Sequence, residues 1–483
     1  MRILFINTVI KADYSSLDVA ITLLATIINK NSNHQAAIAD TTFHSRDWKK
    51  YIISKIKDFE PDMFAFSCNN LYMEDINMVA KFLKNEFPQT PIIGGGYYTT
   101  MHPEDSLSLD CFDGVVVGDG EEPILKILDF YSNNEELPKS VDGFWIKTGN
   151  GIIKNNPGRF SKNISDYPFL DWDLWEDLDK YFYFLQMLYF VGSRGCPYRC
   201  SFCEACEIGD YVDGNYFRQM EPRRFAQEIA YQWSKYKHRG MKLAQIFDPV
   251  FTIKKDWILE FADEYSKLVN PRTHPISVFS RVDNLDEEKI SILKKCGCKI
   301  VRMGVESGDD YIRNKIHEKM VTTRQIIDMD KKIKSNRMVA TYYYILGSPG
   351  EDRDKINKTI KLALRLNASR TAFFVYKPLT KKSFELIKSN NSEVDMEKMK
   401  KTNNLQYDSV IKLKDITPKE IEKLQFKAYL KFLLKKIPSM IKEQKLFYFY
   451  GMVLYISKGL FYGLKLKYLL PYYHIYAYDN VTK

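Results

Sequence analysis

The sequence of 483 residues has few cysteines, no low-complexity tract and no long apolar run. Its eight cysteines, with an N-terminus (MRILFINTVI) that resembles a first strand more than an export signal, favour a reducing, cytoplasmic setting over a disulfide-stabilised secreted one. The longest apolar run near the C-terminus, residues 446–456, is too short to span a bilayer. No DNA-binding or RNA-binding module is recognisable, so nucleic acid is not an expected partner.

The net charge of the chain excludes few classes of partner or substrate. The formal net charge is +10, from 71 Lys and Arg against 61 Asp and Glu. Over this length, such a bias is compatible with an anionic substrate, a membrane surface or an acidic redox partner. The chain is too long for one ordinary core, and its hydrophobic content of 45% is ample for two or three domains.

The segment 1–135 alternates between apolar runs and stretches with helical spacing. The runs are RILFI, AAIAD, MFAFSC, PIIGGG and GVVVGD, and five such units predict an α/β domain with a doubly wound, flavodoxin-like parallel sheet. Ligands of such sheets bind beyond the carboxyl ends of the strands. The residues expected there are Ser67, Asn69, Gly94, Gly95, Tyr97, Gly118 and Glu121. The glycines would let the backbone approach a bulky ligand closely, or they would only form tight turns.

A second alternating series predicts a partial parallel (β/α)6 barrel at residues 186–385. Its expected strands are LYFVGSRG, LAQIFD, ISVFSR, KIVRMGVE, VATYYYILG and RTAFFVYK. Residues 136–185, which are rich in turn signals, are predicted to connect the two domains. The active site of such a barrel lies at the carboxyl ends of its strands.

Residues 386–483 are predicted to form a mainly helical C-terminal region. Its last part mixes aromatic residues with lysines. One interpretation is a helical cap that buries its apolar face on the barrel. The other is an amphipathic helix that makes peripheral contact with a membrane.

Four of the cysteines lie together in GSRGCPYRCSFCEAC, directly after the first barrel strand, at Cys196, Cys200, Cys203 and Cys206. Disulfides are disfavoured by the expected compartment. A four-thiolate zinc site usually joins two knuckles across a longer loop, whereas a compressed run is typical of an iron–sulfur cluster. The first three cysteines can hold three irons of a four-iron cluster and leave the fourth iron open. Cys206 is interpreted as a bystander, and the alternatives are a redox-active thiol or a fourth ligand that would block the open iron.

The spacing Cys196-x3-Cys200-x2-Cys203, with Phe202 before the last cysteine, resembles the signature of the radical S-adenosylmethionine (SAM) enzymes. The resemblance implies a four-iron four-sulfur cluster on these three cysteines, with the amine and carboxylate of SAM on the open iron. It also implies a low-potential electron donor, such as flavodoxin or ferredoxin. One electron from the cluster then splits SAM to a 5′-deoxyadenosyl radical.

Four later segments are similar to successive strand ends of the same superfamily: IFDPVF, SRVDNL, MGVESGDD and YILGSPGE. The resemblance assigns SAM-binding roles to Asp248 (methionine part), Arg281 and, less directly, Arg302 (carboxylate), Glu306 and Ser307 (ribose or methionine end), and Gly347 and Gly350 (adenine). The alternative for each is a strand-end residue that caps a helix or a turn.

The N-terminal segments PDMFAFSC, PIIGGGYYTTMHPED and FDGVVVGDGEEPILKIL resemble those of the cobalamin-binding radical SAM enzymes. The resemblance implies a corrinoid at the carboxyl ends of the first sheet. The sequence lacks an Asp-x-His-x-x-Gly motif, so the group beside the cobalt would be a tyrosine such as Tyr97, or Asn69, or the domain would retain only its fold.

The function that this resemblance implies is cobalamin-dependent methylation of an unactivated carbon. The alternatives are a radical SAM cyclisation or rearrangement without methyl transfer, and a non-catalytic iron–sulfur or zinc protein. The substrate class stays open among small molecules, lipids and peptides.

Overall fold

The computed structural model describes residues 1–10, 17–70, 72–366, 368, 370–401 and 408–442, together with Ser457 and Leu460. The described chain divides into two compact units. The first comprises Met1–Tyr181 and Glu207–Arg218, and the second comprises Phe182–Cys206 and the described residues from Gln219 onward. The aromatic, basic segment predicted beyond residue 442 lies, apart from Ser457 and Leu460, outside the described residues.

The first unit is built on a sheet of seven strands in the order β2-β1-β3-β4-β5-β6-β7. Its first five strands are parallel, which confirms the doubly wound fold. The elements are β1 (Arg2–Asn7), α1 (Val19–Asn31), β2 (Gln35–Asp40), α2 (Trp48–Phe59), β3 (Met63–Ser67), α3 (Met73–Glu86), β4 (Ile92–Gly95), α4 (Tyr97–Met101), α5 (Pro103–Ser108), β5 (Gly114–Val116), α6 (Glu121–Asn134), β6 (Phe144–Thr148) and β7 (Gly151–Ile153).

The strands of this sheet form because apolar side chains are buried on both faces, as parallel sheets require. Phe64 and Phe66 of β3 pack in one core cluster with Val79 and Leu83 of α3. Strands β6 and β7 form an antiparallel hairpin at the edge of the sheet, in the segment predicted to be a connector. The predicted domain boundaries 1–135, 136–185, 186–385 and 386–483 stay predictions.

The second unit contains six parallel strands in the order β15-β14-β13-β12-β11-β8, which confirms the partial barrel. Its elements, with α7 and β10 each crossing the division between the units along the chain, are α7 (Leu178–Leu185), β8 (Met187–Phe190), β9 (Ser193–Arg194), β10 (Arg218–Gln219), α8 (Pro222–Tyr236), β11 (Leu243–Ile246), α9 (Lys255–Leu268), β12 (Ile276–Ser280), α10 (Glu287–Lys295), β13 (Cys298–Glu306), α11 (Thr323–Ser335), β14 (Val339–Leu346), α12 (Arg353–Arg365), β15 (Arg370–Val375), α13 (Lys381–Ser389), β16 (Glu393–Val394), α14 (Met396–Lys401), β17 (Ile411–Lys412) and α15 (Pro418–Lys442).

The two faces of the barrel sheet have different neighbours. The Tyr342 hydroxyl donates to Asp330 Oδ1 of α11 at 2.9 Å, and the Phe373 ring packs edge-on against Tyr429 of α15. These side chains therefore point outward, to the helical layer. Because side chains alternate along a strand, Tyr343 and Phe374 lie on the opposite, concave face.

The helical C-terminal region begins against the barrel. Helix α15 contacts β15 and α12, but its side chains Phe426, Leu430 and Leu434 are exposed, so the helical-cap interpretation stays a prediction. Within the described residues, no helix is both long enough and apolar enough to cross a membrane.

Candidate functional site

The three motif cysteines lie on the loop that follows β9, and none of them forms a disulfide. A turn closes the loop, since the Cys203 amide donates to the Cys200 carbonyl at 3.1 Å. Ser201, one of the two residues between them, is fixed from two sides. The Ser201 amide donates to the His317 carbonyl at 3.4 Å, and the Thr380 hydroxyl donates to the Ser201 carbonyl at 2.7 Å. The barrel thus presents all three thiols from one anchored loop.

Asp248, at the carboxyl end of β11, anchors the start of this loop. Its side chain is fully buried, and Oδ1 accepts a hydrogen bond from the Gly192 amide at 2.6 Å. Burial raises the pKa of Asp248 to about 6, although hydrogen bonds from Ser193 and Gly192 act in the opposite direction. The predicted contact of Asp248 with the methionine part of SAM stays a prediction. The contact in the structure is with the loop backbone.

The thiols are electrostatically coupled to one another and to two cations. Burial raises the pKa of the Cys196 thiol, and the neighbouring thiols Cys203 and Cys200 raise it further. Burial also raises the pKa of Cys200, against the opposing charges of Lys319 and Arg281. Three soft sulfur ligands beside two cations suit an iron–sulfur cluster, because thiolate ligation adds negative charge that nearby cations stabilise.

The zinc interpretation includes Cys206 and is therefore not tested by the described side chains. Within the described side chains, no group of three or more His, Cys, Asp and Glu residues is arranged to hold a single metal ion. The side chain of Cys206 lies outside the part that the structure describes, so its predicted bystander role stays a prediction.

Arg281 joins the cysteine loop to the carboxyl ends of β12 and β13. Its Nη1 donates to Cys200 Sγ at 3.3 Å, and its Nη2 donates to the Lys319 carbonyl at 2.7 Å. The guanidinium also binds Asp283 through two hydrogen bonds of 2.9 Å and lies over the Tyr198 ring, 3.9 Å from its centroid. The Arg281 guanidinium, which was predicted to bind the SAM carboxylate, is therefore already paired with Asp283. To bind SAM, Arg281 would have to exchange Asp283 for the SAM carboxylate.

Glu306 and Lys319 form a buried ion pair, with Oε1 and Nζ 2.9 Å apart. Burial lowers the pKa of Lys319, but Glu306 and Cys200 raise it, so that it lies above its ordinary value. Glu306 has φ +65°, a left-handed conformation that a side chain disfavours. A Cβ built on Gly304 would overlap Glu306 Oε1 and lie 2.9 Å from Lys319 Nζ. The pair thus covers Gly304.

Ser307 and the two glycines after β14 shape turns in this structure. The Ser307 hydroxyl accepts from the Asp309 amide at 3.1 Å and lies 3.2 Å from Thr359 Oγ1. Gly347 and Gly350 have φ +82° and +77°, which favours glycine. A Cβ on Gly347 would lie 2.9 Å from Ile421 Cδ1. These contacts agree with the capping alternative, and the predicted contacts with SAM stay predictions.

Phe202 contacts a histidine that the sequence did not single out. The Phe202 and His317 rings meet edge-on at 5.1 Å, and His317 Nε2 lies 2.8 Å from Ser348 Oγ. Burial, followed by the charges of Lys319 and Arg313, lowers the pKa of His317 to about 3, so its ring is neutral near pH 7. His317 and Lys319 lie in an irregular segment without periodicity, and no sequence signal marks either of them.

The carboxyl edge of the first sheet is partly filled by protein atoms. A Cβ on Gly94 would lie 3.2 Å from each of Cys68 Sγ, Phe112 Cε1 and Thr99 Cγ2. A Cβ on Gly118 would lie 3.2 Å from Val212, in the segment Glu207–Arg218 that belongs to this unit. These two predicted ligand-side glycines therefore face protein atoms.

Another part of this edge is open. A Cβ on Gly95 would meet, among the described residues, only Val116 Cβ, at 3.9 Å. Tyr97, two residues after Gly95, has 49% of its surface exposed. Ser67 and Asn69 are half-buried, and Glu121 is buried at the start of α6. Gly95 and Tyr97 leave space at this edge for a bulky group, and the cobalamin-binding role of every member of the predicted set stays a prediction.

Comparisons with known proteins agree with both halves of this description. Residues 190–363 match the Radical SAM superfamily, and residues 7–128 match the B12 binding domain. A Pyrococcus horikoshii protein named an uncharacterized methyltransferase is 31% identical over 386 residues, which cover 79% of this chain and 80% of that protein. The chain belongs to the cobalamin-binding radical SAM enzymes. As such, it uses a four-iron four-sulfur cluster, SAM and cobalamin.

Two further similarities are more distant. The anaerobic magnesium-protoporphyrin IX monomethyl ester cyclase of Synechocystis is 28% identical over 253 residues, 51% of this chain and 48% of that protein. The radical SAM methyltransferase TsrM of Kitasatospora setae, solved with tryptophan and a SAM analogue, superimposes with a TM-score of 0.64 at 17% identity, over 80% of this chain and 76% of that one. At this identity, the similarity to TsrM concerns the fold alone.

Proposed function

We propose that this cobalamin-binding radical SAM enzyme transfers a methyl group to an unactivated carbon of a small-molecule substrate. The observation that carries the proposal is the anchored three-thiol loop, coupled to Arg281 and Lys319, in a chain that also has a B12-binding sheet. The Pyrococcus horikoshii relative, which covers 79% of this chain, is named an uncharacterized methyltransferase, and this name supports methyl transfer over other radical outcomes.

The residues divide this work as follows. Cys196, Cys200 and Cys203 would hold the cluster, which would supply the electron for SAM cleavage, and cobalamin would supply a methyl carrier. Arg281 and Lys319 hold positive charge against Cys200. Asp248 fixes the start of the loop through Gly192. A low-potential donor such as flavodoxin or ferredoxin would provide the electron.

A second candidate function is a radical cyclisation without methyl transfer. It is favoured by the Synechocystis relative, which is named a cyclase. Anaerobic reconstitution with iron, sulfide and cobalamin, followed by SAM and a low-potential reductant, separates the two. Cobalamin-dependent S-adenosylhomocysteine together with 5′-deoxyadenosine supports methyl transfer. 5′-Deoxyadenosine alone favours cyclisation or rearrangement, and neither product would refute both.

Peripheral contact between the C-terminal region and a membrane is a separate proposal. It follows from the mixture of aromatic residues and lysines in residues 420–483. Flotation with anionic vesicles, for chains with and without this segment, tests it. Equal flotation of both chains would contradict a membrane role.

A further inference from the structure

A continuous rank of aromatic rings crosses the concave face of the barrel sheet. Neighbouring ring centroids are separated by 4.6, 5.4, 5.8 and 5.9 Å. Tyr343 belongs to both the third and the fourth of these pairs and is stacked on its neighbour in each. In order along the rank, the residues are Tyr189, Phe247, Phe279, Tyr343 and Phe374. We call this set the aromatic rank.

The rank keeps accessible surface that the opposite face of the same strands does not. Phe247 is 42% exposed, and Phe279, Tyr343 and Phe374 are half-buried. Tyr189, at one end of the rank, is buried. Tyr344 and Phe373, the neighbours of Tyr343 and Phe374 along the strands, are 0% and 1% exposed. Ordinary core packing would bury the rings of the rank as fully as it buries Tyr344 and Phe373. The accessible rings therefore indicate a surface that a ligand can cover.

Small residues flank the rank on the same face. Gly304 of β13 and Ala372 of β15 are the register partners of Tyr343. Neither can cover the ring with a long side chain. The Glu306–Lys319 pair lies over Gly304, and Lys319 interacts with Cys200. The rank therefore extends up to the residues that adjoin the cluster loop.

One cation is built into the rank. The Arg302 guanidinium lies 5.9 Å from the Phe279 centroid. It donates to Ser277 Oγ at 3.0 Å and to the Tyr343 hydroxyl at 3.3 Å, so its position is fixed. On the same face, Gln245 is 1% exposed, and its Oε1 has no hydrogen-bond partner among the described residues. A buried amide oxygen of this kind usually has a partner.

We propose that the aromatic rank binds the substrate, and that the substrate is a planar conjugated molecule carrying a carboxylate. The accessible edges of the rings contact its face, and Arg302 pairs with its carboxylate instead of with the SAM carboxylate that the resemblance assigned to it. Planar recognition follows from the four accessible rings, and the negative charge follows from the fixed guanidinium among them. This inference rests on the proposed function, because it names the substrate class of the same enzyme.

Binding of three probes to the reconstituted holoenzyme tests the inference. 2-Naphthoate is planar and anionic, decalin-2-carboxylate is anionic but not planar, and 2-naphthalenemethanol is planar but neutral. We expect 2-naphthoate to bind at least about tenfold more tightly than the decalin acid. Equal dissociation constants for the two acids would overturn the proposal.

Neighbouring residues on β15 provide a matched control. Phe374→Leu should weaken 2-naphthoate about fivefold or more, whereas Phe373→Leu, on the helix-facing side, should leave the dissociation constant unchanged. Arg302→Gln should weaken 2-naphthoate but not 2-naphthalenemethanol. Thermal melts identify any variant that has not folded. Equal weakening by both phenylalanine variants, or loss of SAM binding instead of probe binding in Phe374→Leu, would overturn the assignment.

SAM cleavage in the same samples separates this inference from the proposed function. If 2-naphthoate fails to bind while S-adenosylhomocysteine forms, the aromatic rank is not the substrate site and the proposed methyl transfer stands. If the probe binds as expected but no SAM is cleaved, the methyl-transfer proposal fails while the ligand class of the rank stands.

Discussion

Arg281 Nη1 lies 3.3 Å from Cys200 Sγ, and Lys319 contributes a second positive charge to the same thiol. Both cations are buried, where charge interactions are screened less than at the surface. A cluster held by Cys200 becomes more negative on reduction, so these cations favour the reduced form.

Arg281→Gln should therefore lower the midpoint potential of the cluster. The reason is that a fixed positive charge beside one ligand is removed. Arg281→Lys keeps a positive charge and should lower the midpoint potential less than Arg281→Gln does. Arg272→Gln, which alters an exposed arginine, should leave the midpoint potential unchanged. Redox titration followed by electron paramagnetic resonance measures the three values. An unaltered potential in Arg281→Gln would show that this contact does not tune the cluster.

The buried pair Glu306–Lys319 should dominate the local stability of the second unit. Lys319→Met or Glu306→Gln alone should lower the free energy of unfolding by about 3–5 kcal/mol, because each leaves an uncompensated polar or charged partner. The double variant should lower the free energy of unfolding by less than the sum of the losses in the two single variants. For comparison, the exposed pair Lys412–Glu393 should contribute only about 0–1 kcal/mol. Denaturant unfolding gives the free energies of unfolding. A coupling energy near zero between Glu306 and Lys319 would contradict the expectation that the buried pair contributes more than the exposed one.

Asp248 should make the stability of the apoprotein depend on pH. Its pKa is about 6 in the folded protein against 3.8 for an ordinary aspartate, so the folded state holds the proton more tightly. The free energy of unfolding should fall as the pH rises from about 4 to about 6, by roughly 3 kcal/mol relative to Asp248→Asn. Denaturation of both proteins across this range measures the difference. A constant difference would mean that Asp248 is not the titrating group.

Gly96 should not tolerate a side chain. Its φ is +105°, and a Cβ would lie 2.7 Å from the Cys68 carbonyl oxygen, so Gly96→Ala must move backbone. We expect a loss of about 1–3 kcal/mol in the free energy of unfolding. Gly149→Ala, at a position with no described atom within 4 Å of the Cβ, should change stability by less than about 1 kcal/mol. Similar melting temperatures for the two variants would contradict the expected strain.

The sequence predicts the strands better than the contacts at their ends. The five apolar runs of the first unit and the six of the second coincide with parallel strands, because burial on both faces leaves long apolar runs. The β6–β7 hairpin was missed, since FWIKTGNGII lies among turn signals and has only short strands. The cysteine loop was predicted from the spacing of its cysteines alone.

Site residues that depend on tertiary pairing could not be predicted from spacing. Lys319 reaches Glu306 across 13 residues, and no local pattern marks this pair. Arg281 was predicted to face a carboxylate, but the sequence did not show that Asp283, two residues away, already binds its guanidinium. Gly118 was expected beside a ligand, whereas Val212 lies next to it, from a segment almost 100 residues later in the sequence.

The central claim is that three of the four clustered cysteines hold the cluster and that the fourth does not. Iron, sulfide and SAM-cleavage measurements on Cys203→Ala and Cys206→Ala, prepared side by side, test it most directly. We predict that Cys203→Ala loses SAM cleavage while it remains folded, and that Cys206→Ala retains both the cluster and cleavage. Full cleavage by Cys203→Ala, or zinc without sulfide in the unaltered protein, would contradict the account.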